Sequence, residues 1–478
     1  MPLFSAVPAW AGGEEAVTRP HLEQASGPRS VTLGGETFVN HGLVGAGSLP
    51  AGTVDFLGDT LGSISSLQIA PGSWTRVGDH YEGVLWTLPD RGRNDPSAKL
   101  FFDYAARLER FRIRFTPGDG KLDLVPEGGL ELRDFRGRPF TGADPGKDRL
   151  KELGIALPAP AKGIGSGKVS LDPESLQFTR DGGFYVGDEY TANVYFFDKS
   201  GRLRGAIQLP PAVVPRRSGK LAFGSLEAPD SGRRNNQGPE GMSLSPDGRT
   251  LFVALQSALM QDSAGKGAAG RVNTRVLVYD VSRAPTPTKP SAHYVMRLPA
   301  YTGAGDGGVP DRTAAQSEIR AIDGHRFLML ARDGAGRGAG GTAPIMFKSV
   351  LLVDTAGATN LAGTKYETGT ASVLQDPQDP ALRPGIVPAQ SVELVNLLNP
   401  PELARFGLSI EALSEKWEAL DFASVLEPEH PADYFLLVGN DNDFIARHCV
   451  MSGEACDSTI DNDSRVLVYR LSLPAPLR

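Results

Sequence analysis

Four glutamates, Glu174, Glu240, Glu318 and Glu418, recur at the beginning of short apolar segments spread along the chain. Glutamate is depleted in strands and has no turn-forming reason to recur, so a repeated glutamate at a strand start reads as a group kept for its charge. A turn and a second apolar segment follow each one and end in another polar cluster. These clusters are Asp188 and Glu189, then Gln256, then Arg332 and Asp333, then Asn440 to Asp443. The first residue of a strand and the last residue of its antiparallel partner share one edge of the sheet. Glu174 is therefore expected beside Asp188 and Glu189, Glu240 beside Gln256, Glu318 beside Arg332, and Glu418 beside Asn440 and Asp441. A weaker copy sets Ser65 and Ser66 against Asp90 and Arg91.

Carboxylates delivered to one place repel and raise one another's pKa. Arginines at the same edges, Arg91, Arg320 and Arg332, supply part of the compensation, and a hard divalent cation would supply more. Calcium takes several carboxylate, amide and carbonyl oxygens in flexible geometry and needs no clustered histidine. The candidate calcium ligands are Glu174, Asp188, Glu189, Glu240, Glu318, Glu418, Asn440 and Asp441. The competing reading is that these groups cap strand ends through backbone N–H groups. Arg91, Arg93, Arg320 and Arg332 are candidate holders of an anionic substrate; their competing role is salt bridging to the glutamates. A second acidic group, Asp457, Asp461, Asn462 and Asp463, reads as a solvated turn; its order does not fit an EF-hand loop.

The elements that must position these residues are strands. DPESLQFTRDGGFYVGDEYTANVYFFDKSGRL, QGPEGMSLSPDGRTLFVALQSAL, SEIRAIDGHRFLMLARDG and KWEALDF with YFLLVGNDND share one grammar. Each runs strand, Asp–Gly turn, apolar strand, polar cluster, third strand. DGG, PDG and IDG are hairpin turn chemistry. SISSLQIAPG, YEGVLWTLPDRGRND and LERFRIRFTPGDG form a fainter copy. Repeated antiparallel units of three or four strands predict an all-β propeller of five to six blades, whose neighbours stack because one blade cannot bury both faces alone. A sixth blade could be assembled from VTLGGETFVNHGLVG and a C-terminal strand. The long spacers at about 122–168 and 356–415 are expected to hold outer strands plus insertions, with a short helix in PPELARFGLSIEALSEKWEAL. One domain over residues 31–478 accounts for these repeats.

The 478 residues include 57 Gly and 37 Pro in many short clusters, and 40% are hydrophobic, which suits a large core with numerous turns. Net charge is −7 and no Lys/Arg run tracks a phosphate backbone, which argues against a nucleic-acid partner. No stretch is long and apolar enough for a transmembrane helix. G-x-S-x-G, H-E-x-x-H and P-loop signatures are absent. The histidines are scattered, and GAGRGAGG reads as a flexible loop. Cys449 and Cys456, in CVMSGEAC, are expected to form a disulfide in an oxidising, extracytoplasmic compartment, against the alternative of free thiols. Residues 1–30 read as the remainder of an export segment or a frayed terminus, with at least Met1 to about Thr18 outside the fold.

The ordered set DPESLQF with YVGDEYTANVYFFDKSGRL, NNQGPEGMSLSPDGRTLFVALQSAL, SEIRAIDGHRFLMLARDG, and KWEALDF with LLVGNDNDF resembles the phytase-like propeller family, described as having "esterase-like activity of phytase". The resemblance spans about Gly42 to Leu471. It implies a usually exported protein that hydrolyses phosphate or carboxylate esters. By that resemblance Glu174, Glu240, Glu318 and Glu418 are the recurrent acidic positions, and Asp188, Glu189 and Asp441 the second-strand ends. Gln256 departs from a position commonly Glu. The resulting expectation is a calcium-dependent ester hydrolase, monomeric, acting on a small anionic or ester substrate. Glu240 or Glu318 would serve as general base, and Arg91 and Arg332 would steady the anion. The rival readings are a non-catalytic binding propeller with structural calcium and a calcium-dependent lactonase.

Overall fold

The Asp–Gly turns close as hairpins. In the second repeat Gly248 adopts φ +74° and its N–H returns to Ser245 O (2.8 Å), while Ser245 Oγ bonds Asp247 Oδ1 (2.5 Å). In the third, Asp323 Oδ1 accepts from the backbone of His325 (2.9 Å) and Arg326 (2.8 Å). Asn and Asp side chains of this kind mimic a backbone turn and fix where each hairpin folds back.

The computed structural model of the chain describes residues 16–152 and 154–477, and these are almost entirely strand and turn. Three separate antiparallel four-stranded sheets run in sequence order. The first of these comprises Pro173–Phe178, Phe184–Asp188, Asn193–Phe197 and Leu203–Gln208; the next comprises Pro239–Leu244, Thr250–Leu255, Asn273–Asp280 and Ala292–Arg297. The third comprises Ala315–Ala321, Arg326–Arg332, Lys348–Asp354 and Gln390–Asn396. A ten-stranded sheet divides at a single parallel bridge, Ala46 to Lys121, into two further four-stranded units, each with one flanking strand. One unit holds Ser66–Ile69, His80–Leu88, Arg107–Thr116 and Lys121–Glu131. The other holds Lys416–Ser424, Asp433–Asp441 and Ser464–Ser472, with Glu36–Leu49 on its outer edge. The stretch considered for a sixth unit therefore completes the last sheet instead, pairing antiparallel with the C-terminal strand.

Second strands read as unbroken apolar runs because both faces are buried. Alternation along the strand sends neighbouring residues into different cores. Phe184 and Val186 pack with Leu88 and Leu108 of the preceding sheet, whereas Tyr185 packs with Met242 and Val253 of the following one. Phe252 and Ala254 join Phe327 and Met329; Leu328 and Leu330 join Leu436 and Val438; Phe435 and Leu437 join Leu67 and Leu85. Every sheet is thus packed on the one before and the one after it, and the last on the first. Each fully buried Leu, Val or Phe contributes about 1.5–3 kcal/mol to holding these faces together.

The innermost strands have exposed edges that side chains from neighbouring sheets satisfy. Leu176 N donates to Ser66 Oγ (3.1 Å), Leu244 N to Gln177 Oε1 (3.0 Å), Ala321 N to Ser243 Oγ (2.9 Å), and Ile69 N to Asp421 Oδ2 (2.7 Å). Outer insertions are small hairpins and loops. The expected helix is Pro400–Ala404, started by Asn399, whose side chain accepts from Glu402 N (3.2 Å). The glycine-rich loop is tied down at Arg337, whose N–H donates to Leu413 O (2.8 Å). The segment expected to stay outside the fold covers residues 1–30; residues 1–15 lie outside the described residues, but from Val17 on the chain joins the fold, with Val17 paired with Tyr301, His21 N donating to Met346 O (2.9 Å) and a strand starting at Arg29.

Candidate functional site

Three inner strands open with the same irregularity. Their register to the second strand slips between Pro173 and Ser175, between Pro239 and Gly241, and between Trp417 and Ala419. The residue skipped is Glu174, Glu240 or Glu418. A bulge inserts one unpaired residue and re-aims its side chain, which is why glutamate is found at a strand start where propensity disfavours it. These three carboxylates come together, with one oxygen from each within 4.8 Å of the others.

A second set, Asp90, Asp172 and Glu174, meets the same spacing, as does a third, Asp90, Asp441 and Asp443. Cations thread through them. Arg91 Nη1 lies 2.7 Å from Asp172 Oδ2, and Arg332 Nη2 pairs with Glu418 Oε1. Lys416 Nζ reaches Asp443 Oδ1 (2.6 Å) and Asp441 Oδ2 (3.1 Å). Gln256 Nε2 donates to Glu240 Oε1 (2.7 Å), and Gly238 N donates to Glu189 Oε1 (2.6 Å). Several buried oxygens keep no partner: Glu240 Oε2, Glu189 Oε2 and Asp172 Oδ1. All of these acids except Asp443 are buried, Asp172 to 1% exposure and Glu240 to 3%.

The expectation that Glu318 joins the other glutamates is corrected by register. In its sheet the slip falls between Gln316 and Glu318, so Ser317 occupies the bulge and Glu318 lies one residue further on. Its Oε2 accepts from Ser66 Oγ (2.6 Å) and its Oε1 from Met242 N and Ile319 N (both 2.9 Å). Glu318 is a clip between inner strands, held protonatable by burial, which pushes its carboxyl up to about 8. Arg320 is likewise spent inside, donating to Gln177 Oε1 (2.7 Å), Leu420 O (3.0 Å) and Leu67 O (3.2 Å).

Asp188 and Asn440 are occupied by backbone. Asp188 accepts from Asp172 N (3.1 Å), Tyr190 N (3.2 Å) and Thr191 N (3.1 Å). Asn440 uses its oxygen on Arg465 N and its amide nitrogen on Asp463 O (3.2 Å). For these two the strand-capping alternative describes the geometry. Arg93 braces a loop through Asp443 O (3.3 Å) and stands outside the acid clusters. The acidic turn is also satisfied locally: Asp457 Oδ1 accepts from Cys449 N (2.9 Å) and Asp461 Oδ1 from Arg447 N (2.8 Å).

Burial first, and then their carboxylate neighbours, push Glu174 and Glu240 well above the usual range; Glu174 faces Glu240 and Asp172, and Glu240 faces Glu189 and Glu418. Asp90 is raised in the same way by burial and Asp441. Burial and Asp172 bring Glu189 to about 7. Asp172 and Asp441 stay raised by burial even though Arg91 and Lys416 oppose it. The surplus of acid over cation, with oxygens left unpartnered, makes the cluster capable of coordinating a divalent cation. Its donors are all oxygens, without histidine or thiolate, which fits a hard cation.

Residues 62–444 match the family described as "Phytase-like: Esterase-like activity of phytase". The chain belongs to this phytase-like family. A secreted protein of Arthroderma benhamiae, itself uncharacterized, is 32% identical over 89% of this chain and 92% of its own length. Solved structures of a luciferin-regenerating enzyme (10% identity, TM-score 0.28, covering 86% of this chain and 92% of that one) and of the β-propeller domain of Myceliophteria thermophila Cps50 (10%, 0.26, 84% and 99%) were also matched. At those scores the likeness carries no argument.

Asp172 and Lys416 join the site of this phytase-like chain although the repeat does not single them out. Asp172 stands two places before Glu174, and Lys416 two places before Glu418, so both were visible as charges flanking the bulge. Asn236 and Ser225, which meet the Arg91 guanidinium from the 209–238 segment, carried no signal. Cys449 and Cys456 form a disulfide with Cα atoms 4.8 Å apart.

Proposed function

We propose that this phytase-like hydrolase is a calcium-dependent esterase or phosphoesterase, working from the acid centre on the axis of a closed five-bladed propeller. The cyclic packing of the five sheets and the edge-satisfying bonds of their inner strands support the propeller. The observation that carries the site is the convergence of Glu174, Glu240 and Glu418 with unpartnered, buried oxygens on Glu240 and Asp172. Calcium suits this set because it accepts many carboxylate oxygens in loose geometry.

Glu174, Glu240, Glu418 and Asp172 would hold the cation. When bound, it supplies Lewis acidity toward the ester oxygen and acidifies a water. Glu189 is the general base this geometry favours over Glu240 and Glu318. Its Oε1 is fixed by Gly238 N (2.6 Å), and its buried Oε2 has no hydrogen-bond partner and can take a proton from water. Arg91 steadies the substrate anion, and Arg332 orients Glu418. The disulfide and the secreted relative together place the protein outside the cytoplasm.

A second reading is favoured by burial: Glu174 is 6% exposed and the 209–238 segment meets Arg91, as expected of a structural cation in a binding propeller. A panel of phosphate esters, carboxylate esters and lactones, assayed with calcium and with chelator, separates the two. Calcium-dependent turnover that Glu189→Gln abolishes, while calcium binding persists, supports catalysis. Bound calcium without turnover on any substrate leaves the structural reading.

A further inference from the structure

Three acid clusters share residues at the centre, and they differ in what already neutralises them. In the set Asp90, Asp441 and Asp443, the Lys416 ammonium lies 2.6 Å from Asp443 Oδ1 and 3.1 Å from Asp441 Oδ2. A protein cation therefore occupies that position. The set Asp90, Asp172 and Glu174 has one direct ion pair among the described residues, Arg91 on Asp172 Oδ2, with Lys416 and Arg233 acting from further off, and Asp172 Oδ1 is buried without a hydrogen-bond partner. The set Glu174, Glu240 and Glu418 has Arg332 on Glu418 and the neutral Gln256 on Glu240, and Glu240 Oε2 is buried without a partner.

We infer that the centre holds two divalent cations bridged by Glu174, one among Asp90, Asp172 and Glu174 and the other among Glu174, Glu240 and Glu418, while Lys416 closes the third cluster to metal. The inference rests on the calcium reading above and deepens it. Each position has its own orphaned carboxylate oxygen, and an unpaired buried charge is too costly to be left without a counterion. A bridging carboxylate can give one oxygen to each ion, and no other residue belongs to both of these sets.

The test is calcium stoichiometry. The full chain is stripped with chelator, and calcium alone is titrated back by calorimetry, with elemental analysis of the reloaded protein and circular dichroism to confirm folding. Two equivalents are expected. Asp172→Asn and Glu240→Gln should each remove one equivalent and leave the other, and Lys416→Gln should open a third. One equivalent in the unaltered chain overturns the two-cation centre and leaves the single-cation reading intact; none overturns both. Two equivalents that survive both Asp172→Asn and Glu240→Gln place the calcium elsewhere on the surface and overturn the assignment. Should either variant fail to fold, the stoichiometry of the unaltered chain still decides between one ion and two.

Discussion

Replacing Glu240 by glutamine should change stability in opposite directions with and without calcium. The side chains are isosteric, and the glutamine oxygen can still accept from Gln256 Nε2, so packing and that 2.7 Å bond are retained. The charge is not. Two like charges at the 4.8 Å limit of this cluster repel by about 3–4 kcal/mol at an effective dielectric of ~20. Arg332 already offsets Glu418, so Glu189 and Glu174 are the neighbours left unbalanced. Partial protonation relieves some of the strain, which brings the expected gain for the metal-free variant to about 1–3 kcal/mol. With calcium the sign reverses. A site saturated a hundredfold above its Kd adds about 2.7 kcal/mol to the folded state, and losing a ligand forfeits most of that. Urea denaturation in chelator and in millimolar calcium measures both. A midpoint that moves in the same direction in both buffers would make Glu240 a packing residue and not a calcium ligand.

Glu318→Gln should cost about 1–3 kcal/mol, since the amide keeps only one accepting oxygen and leaves either the Ser66 hydroxyl or the Met242 and Ile319 N–H groups without an acceptor, yet calcium stoichiometry should not move; denaturation and calorimetry check the two halves. Opening the Cys449–Cys456 bridge, a separation of 7 residues, should cost about 2–3 kcal/mol, read by denaturation with and without reductant, and should expose the loop to proteolysis. Glu109, buried beside Asp55, has its carboxyl raised by burial to about 9 from an ordinary 4.5. The folded state binds its proton more tightly than the unfolded state, so stability is full below 4.5 and falls toward 9, at up to about 1.4 kcal/mol per pH unit. Glu109→Gln should flatten that decline in stability measured from pH 5 to 9.

The repeat, its hairpin turns and its two-sided apolar strands were legible because each is a local signal. Asp–Gly turns mark where strands reverse, and an unbroken run such as FLMLA in the third repeat can be buried only on both faces. The convergence of Glu174, Glu240 and Glu418 was legible for the same reason. The bulge was not. A one-residue slip leaves no mark on composition, so SEIR aligned its glutamate with the others although the backbone puts Ser317 in that place. Asp188 and Asn440 look like ligands until their backbone partners are seen. Lys416 and Asp90 come from the two different four-stranded units of the ten-stranded sheet, and their meeting depends on how those units pack together, which no single repeat encodes.

The crowded acid around Glu174, Glu240 and Glu418 is there, on this reading, to hold a cation. A crystal structure of the calcium-loaded protein, with anomalous differences measured for calcium, tests it most directly. Anomalous peaks are expected within 2.3–2.6 Å of carboxylate oxygens from Glu174 and Glu240, as calcium–oxygen bonds require. Featureless anomalous density there, with only water between well-ordered glutamates, would contradict it.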